Sequence, residues 1–157
     1  MPAHEQSRDV PYSARDMYAL VADIASYPDF LPWCNAARIR KREPAGAETP
    51  GGEIVVADLI VSYKLLREQF TSRVLLDPRN LAIDVGYIKG PFKHLMNRWR
   101  FEELEGGASR VHFEIDFEFK SRMLERLIGE FFDRALTKMM GAFLQRADEL
   151  YGNTAKS

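Results

Sequence analysis

Three histidines and one cysteine are the side chains best suited to acid–base or nucleophilic chemistry in this chain. His112 alternates with Glu114 and Asp116, so the three side chains share one face if this segment is a strand. A histidine oriented by a carboxylate can act as a general base. The same alternation describes the solvated outer face of a half-buried strand, and we favour that interpretation.

The spacing of these residues gives little support to metal or nucleophilic chemistry. His4 and His94 are far from His112 in the sequence, and no HxxxH pair is present, which argues against a zinc site. Cys34 has no histidine assigned to it, so we predict a small buried apolar role rather than a nucleophile. The Gly-Gly pairs lie in predicted hairpin turns and lack the following helix that phosphate binding requires. We therefore predict no catalytic residue and no metal.

Two basic segments are candidates for a docking surface. Arg38, Arg40 and Arg42 alternate and would share one strand face. Lys89 and Lys93 flank a Gly-Pro turn. Both segments fit ordinary solvated faces, which we favour, and the alternative is a surface that binds anionic lipid headgroups or ribosomal RNA.

Alternating hydrophobicity predicts that antiparallel strands carry these residues. The clearest strand runs from Val111 to Phe119, with apolar side chains on one face and polar side chains on the other. Further strands are predicted over Ala37–Arg42, Glu53–Leu65, Phe70–Leu76 and Leu81–Tyr87, and around Trp99 and Phe101. Short turns between them indicate antiparallel neighbours. The pairing of the polar segment before Val10 is not determined by its pattern.

Helical periodicity appears near both ends of the chain. Ser13 is predicted to cap one helix, and a second short helix is predicted to begin at Ser26 and end before Pro32. An apolar stripe recurs at helical spacing from Ser121 to Tyr151, and Gly152 is a natural stop. Such a helix spans roughly 45 Å, enough to cross a sheet. The predicted fold is α+β, an antiparallel sheet covered by one long C-terminal helix.

Aromatic and methionine side chains, Met139 and Met140 among them, fall on the predicted inward faces. They are compatible with a filled core or with a deformable apolar pocket between sheet and helix. Periodicity alone does not distinguish a filled core from a hollow one, so both interpretations stand at this level.

Composition restricts the classes of protein and partner. The chain has 157 residues, 46% hydrophobic and 29% charged, which fits one domain over residues 1–157 with a core of about residues 8–152. The formal net charge of −1 implies no bulk attraction to nucleic acid, and no DNA partner is expected. A single cysteine, no signal-like apolar segment and no stretch of membrane-span length favour a cytoplasmic protein with at most peripheral membrane contact.

Several strings resemble the coenzyme Q-binding, START-like family, which lies in the polyketide cyclase-like superfamily and shares its pattern with the ribosome association toxin family. The most specific string is Tyr27-Pro28-Asp29-Phe30-Leu31-Pro32-Trp33-Cys34. Supporting strings are Tyr12-Ser13-Ala14, Val21-Ala22-Asp23, Phe70-Thr71-Ser72-Arg73-Val74, Gly90-Pro91-Phe92, Trp99-x-Phe101, and Met139-Met140 with Phe143 and Arg146-Ala147. The resemblance covers about Arg8 to Gly152.

The resemblance implies a helix-grip fold, in which a seven-stranded antiparallel sheet curls around the C-terminal helix and two short helices follow the first strand. It also implies non-enzymatic binding of ubiquinone or a similar polyprenyl lipid, as a carrier or chaperone for respiratory electron transport. The expected protein is a bacterial member, cytoplasmic or peripheral to the inner membrane. One alternative is a toxin-like protein that binds the large ribosomal subunit and blocks subunit joining. Another is a polyketide cyclase-like enzyme, for which the predicted inward faces offer few polar groups beyond Ser72 and Tyr87.

The lipid-binding interpretation predicts a set of site residues. The predicted ligand-binding residues are Leu59, Val61, Phe70, Val74, Val85, Trp99, Phe101, Phe113, Ile115, Phe132, Leu136, Met139 and Phe143. The predicted cavity mouth consists of Phe30, Leu31, Trp33, Pro91 and Phe92. Lys89 and Lys93 would hold that mouth near anionic lipid. No cofactor is expected other than the bound lipid.

Overall fold

The computed structural model of the chain describes residues 3–31, 33–63 and 66–152, apart from the side chains of residues 63, 66, 128 and 131–133. The strands are β1 (Ala3–Val10), β2 (Cys34–Pro44), β3 (Glu53–Tyr63), β4 (Leu66–Asp77), β5 (Ala82–Lys89), β6 (Phe92–Glu103) and β7 (Ser109–Phe119). The helices are α1 (Ala14–Ala22) and α2 (Arg122–Ala147), with 3₁₀ turns over Ile24–Asp29 and Glu105–Gly107 and a π-helical turn over Asp148–Gly152.

The seven strands form one antiparallel sheet in the order β1-β7-β6-β5-β4-β3-β2. Strands β2 to β7 follow each other as consecutive hairpins, whereas β1 joins the far edge beside β7. Their alternating apolar residues form an inner face, and α2 packs over it because no other described helix is long enough to cover it. The predicted α+β helix-grip fold, with two short helical segments after the first strand, is confirmed.

Helix α2 begins where its sequence predicts. The Ser121 hydroxyl accepts a hydrogen bond from the backbone N–H of Leu124 at 3.0 Å, which satisfies an otherwise unpaired donor of the first turn. Its 26 residues span about 39 Å. The prediction of regular helix up to Tyr151 was wrong, because the chain widens into the π-helical turn after Ala147. There the Tyr151 hydroxyl donates to the Asp16 carbonyl at 3.2 Å and ties this turn to α1.

Two local assignments differ from the sequence-based expectation. The second short helix is a 3₁₀ helix that begins at Ile24 rather than at Ser26. The Ser26 hydroxyl donates to the Asp23 carboxylate at 2.6 Å and does not cap a helix that starts at its own position. The polar segment before Val10 is a strand, and Arg110 fixes it to β7 with two hydrogen bonds to Asp9, at 2.6 and 3.2 Å.

The turn between β5 and β6 depends on a close approach that only glycine permits. Gly90 has a φ of +146°, and a Cβ added there would lie 2.5 Å from the Phe70 Cβ. We expect Gly90→Ala to lower the free energy of unfolding by about 2 kcal/mol or more, since the clash adds to the backbone strain. Urea denaturation would measure it. Gly86→Ala is the matched control, because the added Cβ meets its nearest atom at 3.8 Å and should change stability by less than about 1 kcal/mol. Equal effects of the two substitutions would contradict the proposed clash.

Candidate functional site

An apolar cavity of about 160 Å³ lies between the inner face of the sheet and α2. Helix α2 contributes Ala135, Leu136, Met139 and Phe143 to its wall. Strands β2 to β7 contribute inward-facing residues, and the segment before β2 closes one side. The interior is therefore hollow, the alternative that periodicity alone left undecided.

Most of the predicted ligand-binding residues line this cavity. They are Leu59, Val61, Phe70, Val74, Val85, Trp99, Phe113, Ile115, Leu136, Met139 and Phe143, joined by Leu31 and Trp33 from the predicted mouth. The side chain of Phe132 lies outside the described residues. That these residues hold a ligand stays a prediction.

Phe101 faces inward but lies away from the cavity. Its ring packs edge-to-face against Tyr18 of α1, with centroids 5.9 Å apart. Helix α1 therefore covers this end of the inner face, and Phe101 belongs to the filled part of the core.

Pro91 and Phe92 from the predicted mouth are buried, and neither they nor Phe30 line the cavity. Phe92 is only 2% exposed and stacks on Phe119 with centroids 5.1 Å apart. The turn folds inward because the Phe92 N–H donates to the Tyr87 hydroxyl at 3.1 Å, and the Lys120 N–H donates to the Pro91 carbonyl at 2.9 Å. Phe30 packs on Phe143, with centroids 5.2 Å apart.

The cavity is accessible on the side away from β7. Trp33, Leu59, Val61 and Met139 in its wall are only partly buried, whereas Phe113 on β7 is fully buried. The Trp33 carbonyl accepts the Ser62 N–H at 3.0 Å, which holds the segment before β2 against the end of β3. A ligand would enter between this segment and α2.

Ser72 and Asn97 are polar side chains in a mostly apolar wall. Ser72 is 3% exposed, and no described residue hydrogen-bonds to its hydroxyl. The side-chain oxygen of Asn97 accepts a hydrogen bond from the Trp99 indole N–H at 3.0 Å. The side-chain NH₂ of Asn97 donates to the Glu114 backbone carbonyl at 2.9 Å. Sequence reasoning missed Asn97, although alternation from Trp99 places it on the inner face. The Tyr87 side chain was expected in the cavity, but its hydroxyl accepts a hydrogen bond from the Phe92 N–H beside the β5–β6 turn.

Cys34 lines the cavity and is buried. Burial raises the pKa of its thiol to about 11, and the thiol donates a hydrogen bond to the Ala36 carbonyl. The thiol is therefore protonated at neutral pH and is a poor nucleophile.

The family model described as polyketide cyclase / dehydrase and lipid transport matches residues 10–144. The chain belongs to this family. It is 38% identical over 151 residues to the ribosome association toxin RatA of Escherichia coli K12, covering 96% of this chain and 90% of the relative. It is 31% identical over 134 residues to the mitochondrial coenzyme Q-binding protein coq10 of Schizosaccharomyces pombe, covering 82% and 78% of the two chains.

A solved structure supports the same assignment. An 18 kDa protein of Caulobacter crescentus has a TM-score of 0.76 and 38% identity, covering 97% of this chain and 99% of its own. Among the described residues, no helix is both long enough and apolar enough to cross a membrane.

His94 and His112 lie on the outer face of the sheet. His4 lies on the inner face, opposite Ile115, with its ring centroid 6.1 Å from that of Phe113. His112 Nε2 lies 3.0 Å from a Glu102 oxygen, and its Nδ1 lies 2.7 Å from the Ser7 hydroxyl. His94 Nε2 lies 3.1 Å from an Asp116 oxygen. The described part of the chain contains no group of three potential metal ligands among His, Cys, Asp and Glu.

The predicted basic strand face was wrong, because a β-bulge at Arg40 divides it. Arg38 lies opposite Asp58 on the outer face, but the register shifts between Ile39 and Lys41. Arg42 then lies opposite Val55, an inner-face residue. An extra residue reverses the alternation of everything that follows it, so the three arginines do not share a face.

The two lysines of the predicted docking surface lie at separate places. Lys89 is exposed opposite Thr71 on the outer face. Lys93 lies at a register shift in β6, with its ammonium 3.9 Å from a Glu118 oxygen. Neither lysine lines the cavity.

Asp58 is a buried carboxylate on the outer face, 4% exposed, that accepts hydrogen bonds from Thr71 and Arg40. Burial by itself raises the pKa of this carboxyl. The bonds from Thr71 and Arg40, together with the charges of Arg40 and Lys89, outweigh burial and hold the pKa below its ordinary value. Arg40 therefore has a structural role, which the basic-surface prediction did not include.

We expect Asp58→Asn to lower the free energy of unfolding by about 1–3 kcal/mol at pH 7, because the two donors lose a charged acceptor. The folded-state pKa lies below the unfolded value of about 4, so this contribution is present above that value and is lost as the pH falls through the folded pKa. Urea denaturation at neutral and acidic pH would show the difference from wild type shrinking in acid. Asp84→Asn, in an exposed pair with Arg100, is the control and should cost about 0.5 kcal/mol or less.

Proposed function

We propose that this protein binds an isoprenoid lipid, with a polyprenyl quinone such as ubiquinone as the preferred ligand, and acts as a non-enzymatic carrier or chaperone in respiratory electron transport. The observation that carries the proposal is the apolar cavity under α2. The likeness to a relative named as a coenzyme Q-binding protein supports the choice of ligand. The proposed unit is a single lipid-binding domain.

The size of the cavity limits which part of the ligand it holds. Its volume of about 160 Å³ is close to that of an engineered cavity of about 150 Å³ that binds benzene. One ring or the first isoprene unit therefore fits, and the rest of the chain would leave past Trp33 and Met139. Burial of a CH₂ group contributes about 0.8 kcal/mol, so one five-carbon unit contributes roughly 4 kcal/mol before the costs of association.

The polar groups of the cavity favour binding over catalysis. Ser72 and Asn97 can hydrogen-bond a ring carbonyl, but neither is an acid or base near neutral pH. Burial raises the pKa of the other titratable wall residues, Tyr27 and Cys34, which keeps both protonated at neutral pH. We therefore rank a cyclase-type reaction below ligand binding.

Mass spectrometry of organic extracts from the purified protein tests this function directly. We expect a polyprenyl quinone or a related isoprenoid lipid to co-purify. The absence of any such lipid, together with no binding of added ubiquinone, would overturn the proposal.

Cys34 offers an independent test, because it is the single cysteine of the chain and lies in the cavity wall. We expect its alkylation by iodoacetamide to be slow at pH 7, to accelerate as the pH rises towards about 11, and to slow further when short-chain ubiquinone is added. Mass spectrometry of the labelled protein would follow the reaction. The same rate with and without ubiquinone would indicate that the quinone does not occupy the cavity.

A second function is favoured by the relatives named ribosome association toxin. Under this alternative, exposed cations such as Arg38 and Lys41 would bind the large ribosomal subunit and block subunit joining. Co-sedimentation with large subunits should then weaken steeply with salt, whereas quinone retention should not. Arg38→Glu is the suitable variant, since reversing Arg40 would also remove the partner of buried Asp58.

A further inference from the structure

The first turns of α2 expose a small apolar strip. Met123 is 68% exposed and Leu127 is 51% exposed. Residues four apart on a helix lie one above the other, so these two side chains form one continuous surface. Neither belongs to the apolar core. Large exposed apolar residues that adjoin each other indicate a surface that contacts something apolar.

Cations border this strip. Lys120, Arg122 and Arg126 are exposed, and none of them forms an ion pair with a carboxylate among residues 3–31, 33–63 and 66–152. Farther along the same helix, Arg134 is paired with Glu130 at 2.9 Å. Glu125 is the acidic residue of the first turn, so this part of the helix carries a net positive charge.

This strip lies at the end of the sheet where the cavity is accessible. The Lys120 N–H donates to the Pro91 carbonyl, and neighbouring Gly90 touches Phe70 of the cavity wall. The last residues of β3 and the carbonyl of Trp33 lie at the same end, since that carbonyl accepts a hydrogen bond from the Ser62 N–H.

We propose that this end of the molecule docks on an anionic phospholipid membrane, with Met123 and Leu127 inserted among the headgroups and Lys120, Arg122 and Arg126 on the lipid phosphates. Apolar residues flanked by cations are typical of helices that bind at a membrane interface. The proposal rests on the proposed function, because a lipid ligand has to pass between the bilayer and the cavity. It replaces the membrane contact expected at the predicted cavity mouth, where Phe92 is buried.

Vesicle flotation tests the docking surface. The full chain should float with vesicles of phosphatidylcholine and phosphatidylglycerol, and much less with phosphatidylcholine alone. Arg122→Gln combined with Arg126→Gln should weaken binding about 30-fold, since each cation near an anionic surface contributes about 1 kcal/mol. Met123→Ser combined with Leu127→Ser should reduce binding to both kinds of vesicle.

Matched controls lie on the surface of the protein outside the proposed docking strip. Arg134→Gln and Leu150→Ser replace an exposed cation and a 46% exposed apolar residue, and neither should change flotation. Unchanged flotation of both double variants would overturn the proposal. So would a dimer in analytical ultracentrifugation that Met123→Ser with Leu127→Ser dissociates, because a second copy would then cover the strip. Ubiquinone binding measured in detergent separates the two hypotheses: its absence, with flotation intact, would reject the lipid ligand and leave the docking surface standing.

Discussion

Replacement of Ala135 by phenylalanine should abolish ubiquinone binding while the protein stays folded and at least as stable as wild type. Ala135 is 8% exposed and its side chain faces the cavity from α2. The added ring is benzene-sized and fits a cavity of about 150 Å³ or more, so it would occupy the space proposed for the ligand. Filling a native cavity commonly adds about 0.5–2 kcal/mol of stability. Without this space one isoprene unit cannot be buried, and its burial contributes about 4 kcal/mol of binding free energy. We therefore expect binding at least 100-fold weaker.

Titration with short-chain ubiquinone, followed by tryptophan fluorescence, would measure the affinity, and thermal denaturation would measure the stability. Ala142→Phe is the matched control, since Ala142 packs on the core from the same helix without lining the cavity. It should leave quinone binding largely intact. Val61→Asp should also abolish binding, by placing a charge in the apolar wall. Wild-type affinity in a folded Ala135→Phe protein would show that the ligand binds elsewhere.

Truncation of Trp99 should have the largest effect on stability, lowering the free energy of unfolding by about 3–5 kcal/mol. Its indole is 3% exposed and packs edge-on against Phe113 and Phe143, with centroids 4.8 and 5.3 Å apart. Trp99→Ala would remove these contacts and enlarge an existing cavity. It would also remove the indole N–H that donates to the side-chain oxygen of Asn97. Urea denaturation, monitored by circular dichroism, would give the value.

The second tryptophan provides the comparison. Trp33 lines the same cavity but is only partly buried, so Trp33→Ala should cost roughly 1–2 kcal/mol. Trp99→Phe keeps a ring in place and should cost less than Trp99→Ala. A loss below about 1 kcal/mol for Trp99→Ala would contradict the structure, because it would mean that the wall collapses around the missing side chain without penalty.

The inner face of the sheet was predictable wherever burial on one side imposes strict alternation. The strand expected over Val111 to Phe119 agrees with β7 apart from two residues at its start. Alternation identifies the face of a residue but not its depth. Phe101 and Phe113 share the inner face, yet only Phe113 lines the cavity, because α1 rather than α2 covers Phe101. The hollow was therefore beyond the reach of pattern analysis.

The β-bulges caused the largest errors. A bulge inserts one residue without a distinctive residue type, and each later side chain then changes face. The bulge at Arg40 divided the expected basic surface, and the shift at Lys93 accompanied the burial of Phe92. Strand β1 was obscure for a different reason: its register depends on the backbone ladder with β7 and on pairs such as Arg110 with Asp9, not on an apolar pattern of its own.

The two free edges of the sheet have a consequence for the behaviour of the protein in a crowded cell. Strands β1 and β2 each leave one row of backbone groups unpaired by the sheet, and such rows can recruit foreign strands into fibrils. Both edges are polar, β2 is interrupted by the bulge at Arg40, and it ends at Pro44. These features oppose lateral growth of the sheet and therefore disfavour aggregation through its edge strands.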